Sequence, residues 1–415
     1  MYVFIHGGAF EQWYGASNPI YNGTQFSMHD VITVTFNYRL GALGFLSTDT
    51  LNGEYGFLDQ RLALKWVRDN IHAFGGDPSR VTIGGESAGA ESVGAHMISP
   101  GSQHLFRYAI MESNPLGSAF NTKESALAVA EIIFQEVGCA ITDDQCIRAA
   151  PVDGILEAYL KIPTTLQGNP FSPVVGPGNA IPMQPYIGLR NGMYPSTIKL
   201  LTGFNRDEGV SFIYSIFTSS LNQTEYTSEL DQIFGSAAAS TIEFFYPFTT
   251  PPIQDGRVLL ADIFMDVGFS CPILSSALGA ITANPEFEIF VYEFDHVTRK
   301  PLPYRDTVYV PYCAGKVCHS DELYFVFDVF GAGAFGYEPI GDERLLARRV
   351  NRAWANFIKH GDPNVGIDLK TLQFPKLGAS LEYLHIVAAN SSTIGPFSRS
   401  AACALWDASG LFPGP

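Results

Sequence analysis

The chain has 415 residues, 46% of them hydrophobic and 16% charged, which supplies a large core and excludes a disordered or fibrous protein. Its formal net charge is −16, from 25 Lys and Arg against 41 Asp and Glu. No basic run tracks a phosphate backbone, so nucleic acid is not an expected partner, and the scattered acidity reads as solubility rather than steering of cations. No apolar stretch is expected to reach membrane-spanning length.

In chain order, Tyr2 to Ile5 reads as a buried strand that stops at His6-Gly7-Gly8-Ala9, and Val31 to Phe36 as a second strand. Residues 58–74 have the spacing of an amphipathic helix, with Leu62, Leu64, Trp66 and Val67 as its apolar residues. A strand over 81–84 then meets two glycines, and a small-residue apolar stretch after Ser87 reads as a helix. Further strands are predicted around Tyr108 to Met111, at 197–203 and at 287–294, before a helix at 342–360. Strands alternating with helices argue for a mainly parallel sheet covered on both faces, an α/β architecture. The helix-rich segments 122–162 and 207–280 break that rhythm and read as cap insertions. No internal repeat is present, and the Pro/Gly-rich stretch 169–185 reads as a packed surface loop.

Chemistry concentrates around Gly85-Glu86-Ser87-Ala88-Gly89. A Gly-x-Ser-x-Gly between strand and helix is a nucleophile elbow, whose glycines make room for a strained serine above the sheet. Alone, that pentapeptide reads as a glycine turn. Upstream, however, His6-Gly7-Gly8-Ala9 also follows a strand, and such a loop presents backbone N–H groups to a developing oxyanion. An elbow serine requires an acid and then a histidine later in the chain. Of the histidines beyond Ser87, His96 and His104 come too early, His360 ends a helix and His385 alternates within a strand-like run. His296 and His319 remain. For the acid, "TGFNRDEG" follows a strand and offers Asp207 and Glu208, which position in the chain does not separate.

Six cysteines allow fifteen complete pairings. The turn-forming interiors of "GCAITDDQC" and "CAGKVC" favour the local pairs Cys139–Cys146 and Cys313–Cys318, which leaves Cys271 for Cys403. Zinc or haem ligation by Cys313, Cys318 and His319 does not fit the usual spacings, so no metal and no cofactor is expected. Disulfides place the chain in an oxidising compartment, in keeping with candidate glycosylation sites at Asn22, Asn222 and Asn390.

The segments "FIHGGAF", "FNYRLGALGFL", "GFLDQRLALKWVRDNIHAFGGDPSRVTIGGESAGAESV", "GFNRDEGVSF", "VCHSDELYFVF" and "WANFIKHGDPN" resemble the type-B carboxylesterases, the α/β-hydrolase family that includes cholinesterases and fungal lipases. The resemblance runs from the first strand to "CALWD". It implies Ser87 as nucleophile, His319 as base and Glu208 as acid, because the family's Asn-x-x-Glu-Gly falls on Asn205, Glu208 and Gly209. It implies oxyanion donors at the N–H groups of Gly8, Ala9 and Ala88, with Ala9 standing where the family more often has glycine. Glu86 carries over as a buried carboxylate beside the nucleophile, its alternative being a hydrogen-bonded structural acid. Arg39 and Asp59 carry over as a structural ion pair. The family's bridge from a Cys-Pro segment to a cysteine before an aromatic-Trp pair falls on Cys271-Pro272 and Cys403.

A secreted carboxylic-ester hydrolase acting on a small-molecule or lipid ester is the leading expectation, with cholinesterase or lipase specificity as variants. A catalytically silent adhesion or recognition relative is the alternative from another class, and acyl transfer or amide cleavage by the same triad is a third. The oxyanion loop normally follows the third strand of this fold, yet only Met1 precedes the strand that feeds it. A single hydrolase domain over 1–415, truncated at its N-terminus and lacking its signal peptide for that reason, is therefore expected.

Overall fold

The computed structural model describes residues 1–17, 20–162, 170–248, 254–299, 302–304, 308–309, 311–332, 339–366, 372–378, 380–397 and 399–410. The strands are β1 (Tyr2–Ile5), β2 (Thr33–Thr35), β3 (Thr82–Glu86), β4 (Tyr108–Glu112), β5 (Lys199–Asn205), β6 (Ile289–Phe294), β7 (Pro303–Tyr304), β8 (Val308–Tyr309), β9 (Glu382–Ile386) and β10 (Thr393–Pro396). Eight of them form one sheet in the order β10-β9-β6-β5-β4-β3-β1-β2, while β7 and β8 make a separate hairpin. Within the large sheet every neighbouring pair is parallel except β9 and β10.

Successive side chains of a strand point to opposite faces, and here both faces are apolar. Val3, Ile5, Ile83, Ala109 and Met111 enter one core, which takes in the helices Tyr55–Asn70, Ala88–Ile98 and Cys271–Ala283. Tyr2, Phe4, Tyr108, Ile110, Leu201 and Tyr292 enter the other, under the helix Glu343–His360. From β1 the chain moves outward to β2, then crosses to β3 on the other side of β1. The carboxyl ends of β1 and β3 therefore flank a topological switch point, where open parallel sheets place their sites.

The helix Tyr55–Asn70 forms, but its apolar side differs from the one predicted. Phe57, Gln60, Leu64 and Val67 follow the three-to-four spacing of one buried face, whereas Leu62 and Trp66 fall on the other and are 64% and 47% exposed. The expected strand 31–36 shortens to Thr33–Thr35, and that at 197–203 runs instead from Lys199 to Asn205. Position 169 of the predicted surface loop lies outside the described residues. The insertions are helical: Lys123–Glu136, Asp144–Ala149 and Val152–Tyr159 in the first, and Glu208–Ile216, Gln223–Phe234, Ser236–Phe245 and Gly256–Met265 in the second. The carboxylate of Asp59 receives both Nε and Nη2 of Arg39, at 2.7 and 2.8 Å.

One expectation is overturned. Gly256–Met265 continues through a π-helical turn, Asp266–Ser270, into Cys271–Ala283, and this 28-residue helix is long and apolar enough to cross a membrane. In sequence the apolar stretch is interrupted by Asp262 and Asp266. The helix is a core element: 78% of its apolar window is buried, and the Asp266 carboxylate is held by Arg399 and by the Tyr246 hydroxyl at 2.7 Å. The bridges Cys139–Cys146, Cys271–Cys403 and Cys313–Cys318 are all present.

Candidate active site

Ser87 caps the helix Ala88–Ile98 with φ +58° and ψ −128°, a left-handed conformation that a non-glycine residue adopts only under tertiary constraint. Its N–H bonds the Glu112 carbonyl at 3.0 Å, which ties the turn to β4. The flanking glycines are required by contact. A Cβ on Gly85 would lie 2.4 Å from Gly89 C, and one on Gly89 would lie 2.0 Å from Ile5 O. The helix therefore starts directly against the end of β1.

The loop after β1 wraps the same point. Gly8, Ala9 and Phe10 have φ of +107°, +55° and +60°, an unusual run closed by bonds from the Glu11 and Gln12 N–H groups to Gly8 O, each 3.0 Å. A Cβ on Gly7 would stand 3.0 Å from Ser87 Cβ and 2.6 Å from Glu86 O, so this loop lies on the elbow itself. Among the described residues, the N–H groups of Gly8, Ala9 and Ala88 find no acceptor in the protein. Ala88 is the first residue of its helix, where N–H groups have no partner within the helix and the dipole favours negative charge. His6 underlies the loop, its ring stacked on Tyr38 and its carbonyl accepting the Tyr38 hydroxyl at 2.9 Å.

Glu208 and Asp207 separate at the end of β5. Asp207 takes the N-cap position and turns to Arg206 Nη2 at 2.8 Å and the Val317 N–H at 2.8 Å. Glu208, the first helical residue, points inward with no exposed surface. One of its oxygens accepts the Asn205 N–H at 2.7 Å, and the other lies 2.5 Å from His319 Nδ1. His319 is held there from several sides. Asn205 Nδ2 donates to Cys318 O at 2.9 Å, the Asp207 N–H donates to Val317 O at 2.9 Å, and the rings of Phe212 and Phe269 lie 5.0 and 5.4 Å from the imidazole. The other edge of the imidazole faces the elbow, with Nε2 3.1 Å from Glu86 Oε1.

His296, the other loop histidine, is engaged elsewhere, with Nδ1 2.7 Å from Val387 O and Nε2 3.8 Å from Glu343. Glu86 is fully buried and accepts the Ser320 hydroxyl. Behind the site lie groups that motif reading did not single out. Glu322 accepts Ser113 Oγ at 3.0 Å and is also bonded by Asn205 Nδ2, and burial drives its carboxyl well above the ordinary range. Asp321 accepts the Cys318 N–H at 2.7 Å and is pushed by burial up to about 8. Their closeness to His319 in sequence was the available signal. Among the described residues no His, Cys, Asp and Glu group is arranged to hold a metal.

A strained serine on a strand-to-helix turn, backbone donors at the end of a neighbouring strand and a histidine backed by a buried carboxylate define an α/β-hydrolase site. The sequence profile of the carboxylesterase family matches residues 1–406, and the chain belongs to that family, the hydrolases of carboxylic ester bonds. It is 34% identical over 411 residues to the cAMP-regulated D2 protein of Dictyostelium discoideum, covering 98% of this chain and 74% of the relative. Para-nitrobenzyl esterase of Bacillus subtilis is 34% identical over 375 residues, covering 87% of this chain and 71% of that enzyme. The solved structure of a thermophilic PNB esterase superposes with a TM-score of 0.79 at 30% identity, covering 97% of this chain and 79% of that one.

Proposed function

We propose that Ser87, His319 and Glu208 act as nucleophile, general base and acid in the hydrolysis of a carboxylic ester, within a single hydrolase domain. The 2.5 Å contact of Glu208 with His319 Nδ1 carries this reading, because it leaves Nε2 as the nitrogen turned toward the elbow. His319 takes the Ser87 proton as Oγ attacks the ester carbonyl. The oxyanion meets the N–H groups of Gly8, Ala9 and Ala88, preorganised donors whose effect is largest where water is excluded. His319 then protonates the departing alcohol. Water, deprotonated by the same histidine, cleaves the acyl-enzyme, while Glu208 holds the tautomer and stabilises the imidazolium.

The substrate class is a small-molecule or lipid ester, in keeping with esterase relatives such as para-nitrobenzyl esterase. Three disulfides with no free cysteine, and sequons open to modification, support secretion as part of this reading. Asn222 and Asn390 are exposed. Asn222 caps its helix through Oδ1, which accepts from the Thr224 and Glu225 N–H groups and leaves Nδ2 for a glycan. Hydrolysis of a short-chain p-nitrophenyl ester, measured against Ser87→Ala and against the matching anilide, tests the reading. Ester turnover lost in Ser87→Ala and weak on the anilide supports it. Equal turnover by the variant refutes it.

A further inference from the structure

We infer that Ser320 is a positioning residue for this reaction, its hydroxyl restraining the Glu86 carboxylate where that carboxylate meets the imidazole of His319. The inference rests on the proposed roles of Ser87, His319 and Glu208.

His319 stands between two fully buried carboxylates, Glu208 at Nδ1 and Glu86 at Nε2. A base flanked in this way faces a conflict. Two anions on one imidazole favour its protonated form, and a protonated imidazole cannot accept the serine proton. Glu208 has to be strong, since it stabilises the imidazolium formed during reaction. Glu86 sits at the nitrogen that serves Ser87, so there its pull competes with catalysis.

The structure supplies a counterweight at that atom. The oxygen of Glu86 that lies 3.1 Å from His319 Nε2 is the same Oε1 that accepts the Ser320 hydroxyl. A donor on a carboxylate oxygen stabilises the anion, lowers its basicity and takes up a lone pair that would otherwise serve the imidazole. The second oxygen is confined as well, because an ideal Cβ on Gly7 would stand 2.9 Å from Oε2. Glu86 is thereby fixed between the oxyanion loop and Ser320.

Ser320 reaches this position at a cost. Its φ is +74°, it is 5% exposed, and a serine there is strained where glycine is not. The other titratable groups acting on His319 are Glu208 from the start of its helix and Asp321 from the histidine's own loop, while Glu322 lies behind them and acts on Glu208 and Glu86.

The test is the pH dependence of kcat/KM on a p-nitrophenyl ester for wild type, Ser320→Gly and Ser320→Ala, each also in a Glu86→Gln background. Glycine accepts the backbone without strain, so the fold is retained, as its melting midpoint will show. With the donor removed, Glu86 holds the imidazolium more strongly and the acid limb moves to higher pH by about one unit, a loss of roughly tenfold at pH 6 that disappears at pH 9. Both effects vanish when residue 86 is glutamine. An acid limb that stays in place in both Ser320 variants, or moves equally without the Glu86 charge, overturns the inference. Ester hydrolysis that survives Ser87→Ala would instead overturn the triad on which it rests.

Discussion

His319 Nδ1 lies 2.5 Å from Glu208 Oε2, a contact made across 111 positions of sequence. It exists because the loop carrying His319 is fastened to the end of β5 by backbone and side-chain bonds from Asn205 and Asp207 to Val317 and Cys318. The neighbouring acids therefore do different work. Glu208→Gln removes the charge behind the imidazolium and should lower kcat by about three to four orders of magnitude while the melting midpoint changes little. Asp207→Asn loosens the loop and should cost about 1–2 kcal/mol of stability with a smaller kinetic effect. Steady-state kinetics and urea melts of both variants check the ranking.

The bridges differ in the loop they close. Cys271–Cys403 spans 132 positions and Cys139–Cys146 only 7. Chain entropy alone makes these worth about 5 and about 2.4 kcal/mol. Cys271→Ser should accordingly lower the urea midpoint more than Cys139→Ser. Loss of Cys313–Cys318 should register first in kcat, because that short loop leads directly into His319.

Glu91 sits one helical turn after Ser87, 5% exposed, beside a small cavity of about 10 Å³ that it lines with Leu116, Ser118, Phe120, Gln184 and Tyr186. Among the described residues its carboxyl has no hydrogen-bond or ion-pair partner, and burial drives it well above the usual range. An acid whose folded value is raised loses stability as pH climbs above its unfolded value of about 4.3. Glu91→Gln should therefore match wild type near pH 4 and be more stable by on the order of 1–2 kcal/mol at pH 8, as read from urea midpoints.

His96 has the opposite sign. Its ring stacks on Phe57 at 4.3 Å, its nitrogens meet Ser102 and Gln60, and burial pushes it down to about 3. A depressed folded value gives stability that is complete above the unfolded value of about 6.5 and is lost as pH falls from there toward 3. His96→Gln should be less stable than wild type at pH 7, with the gap narrowing steadily down to pH 4.

Much of the fold was legible because strands such as β1 and β4 are buried on both faces and so present unbroken apolar runs, "YVFI" and "YAIM". The elbow and oxyanion loop were legible because strained turns demand glycine at fixed offsets. The choice between Asp207 and Glu208 was not open to position alone. It turns on which residue occupies the N-cap and which begins the helix, a one-residue difference that rotates the side chain from the surface into the site. Leu62 and Trp66 misled because apolar character was read without its phase around the helix. Ser320 was invisible for a deeper reason, since its meaning lies in a φ of +74° and a bond to Glu86, 234 positions away.

Covalent labelling of Ser87 tests the central claim most directly. A fluorophosphonate incubated with the wild-type protein and with Ser87→Ala, followed by intact mass and peptide mapping, reads out the nucleophile without reference to any preferred ester. The account predicts one adduct per chain, on Ser87, that is abolished in the variant and accompanied by complete loss of ester hydrolysis. An adduct on another residue, or hydrolysis that persists in Ser87→Ala, would contradict it.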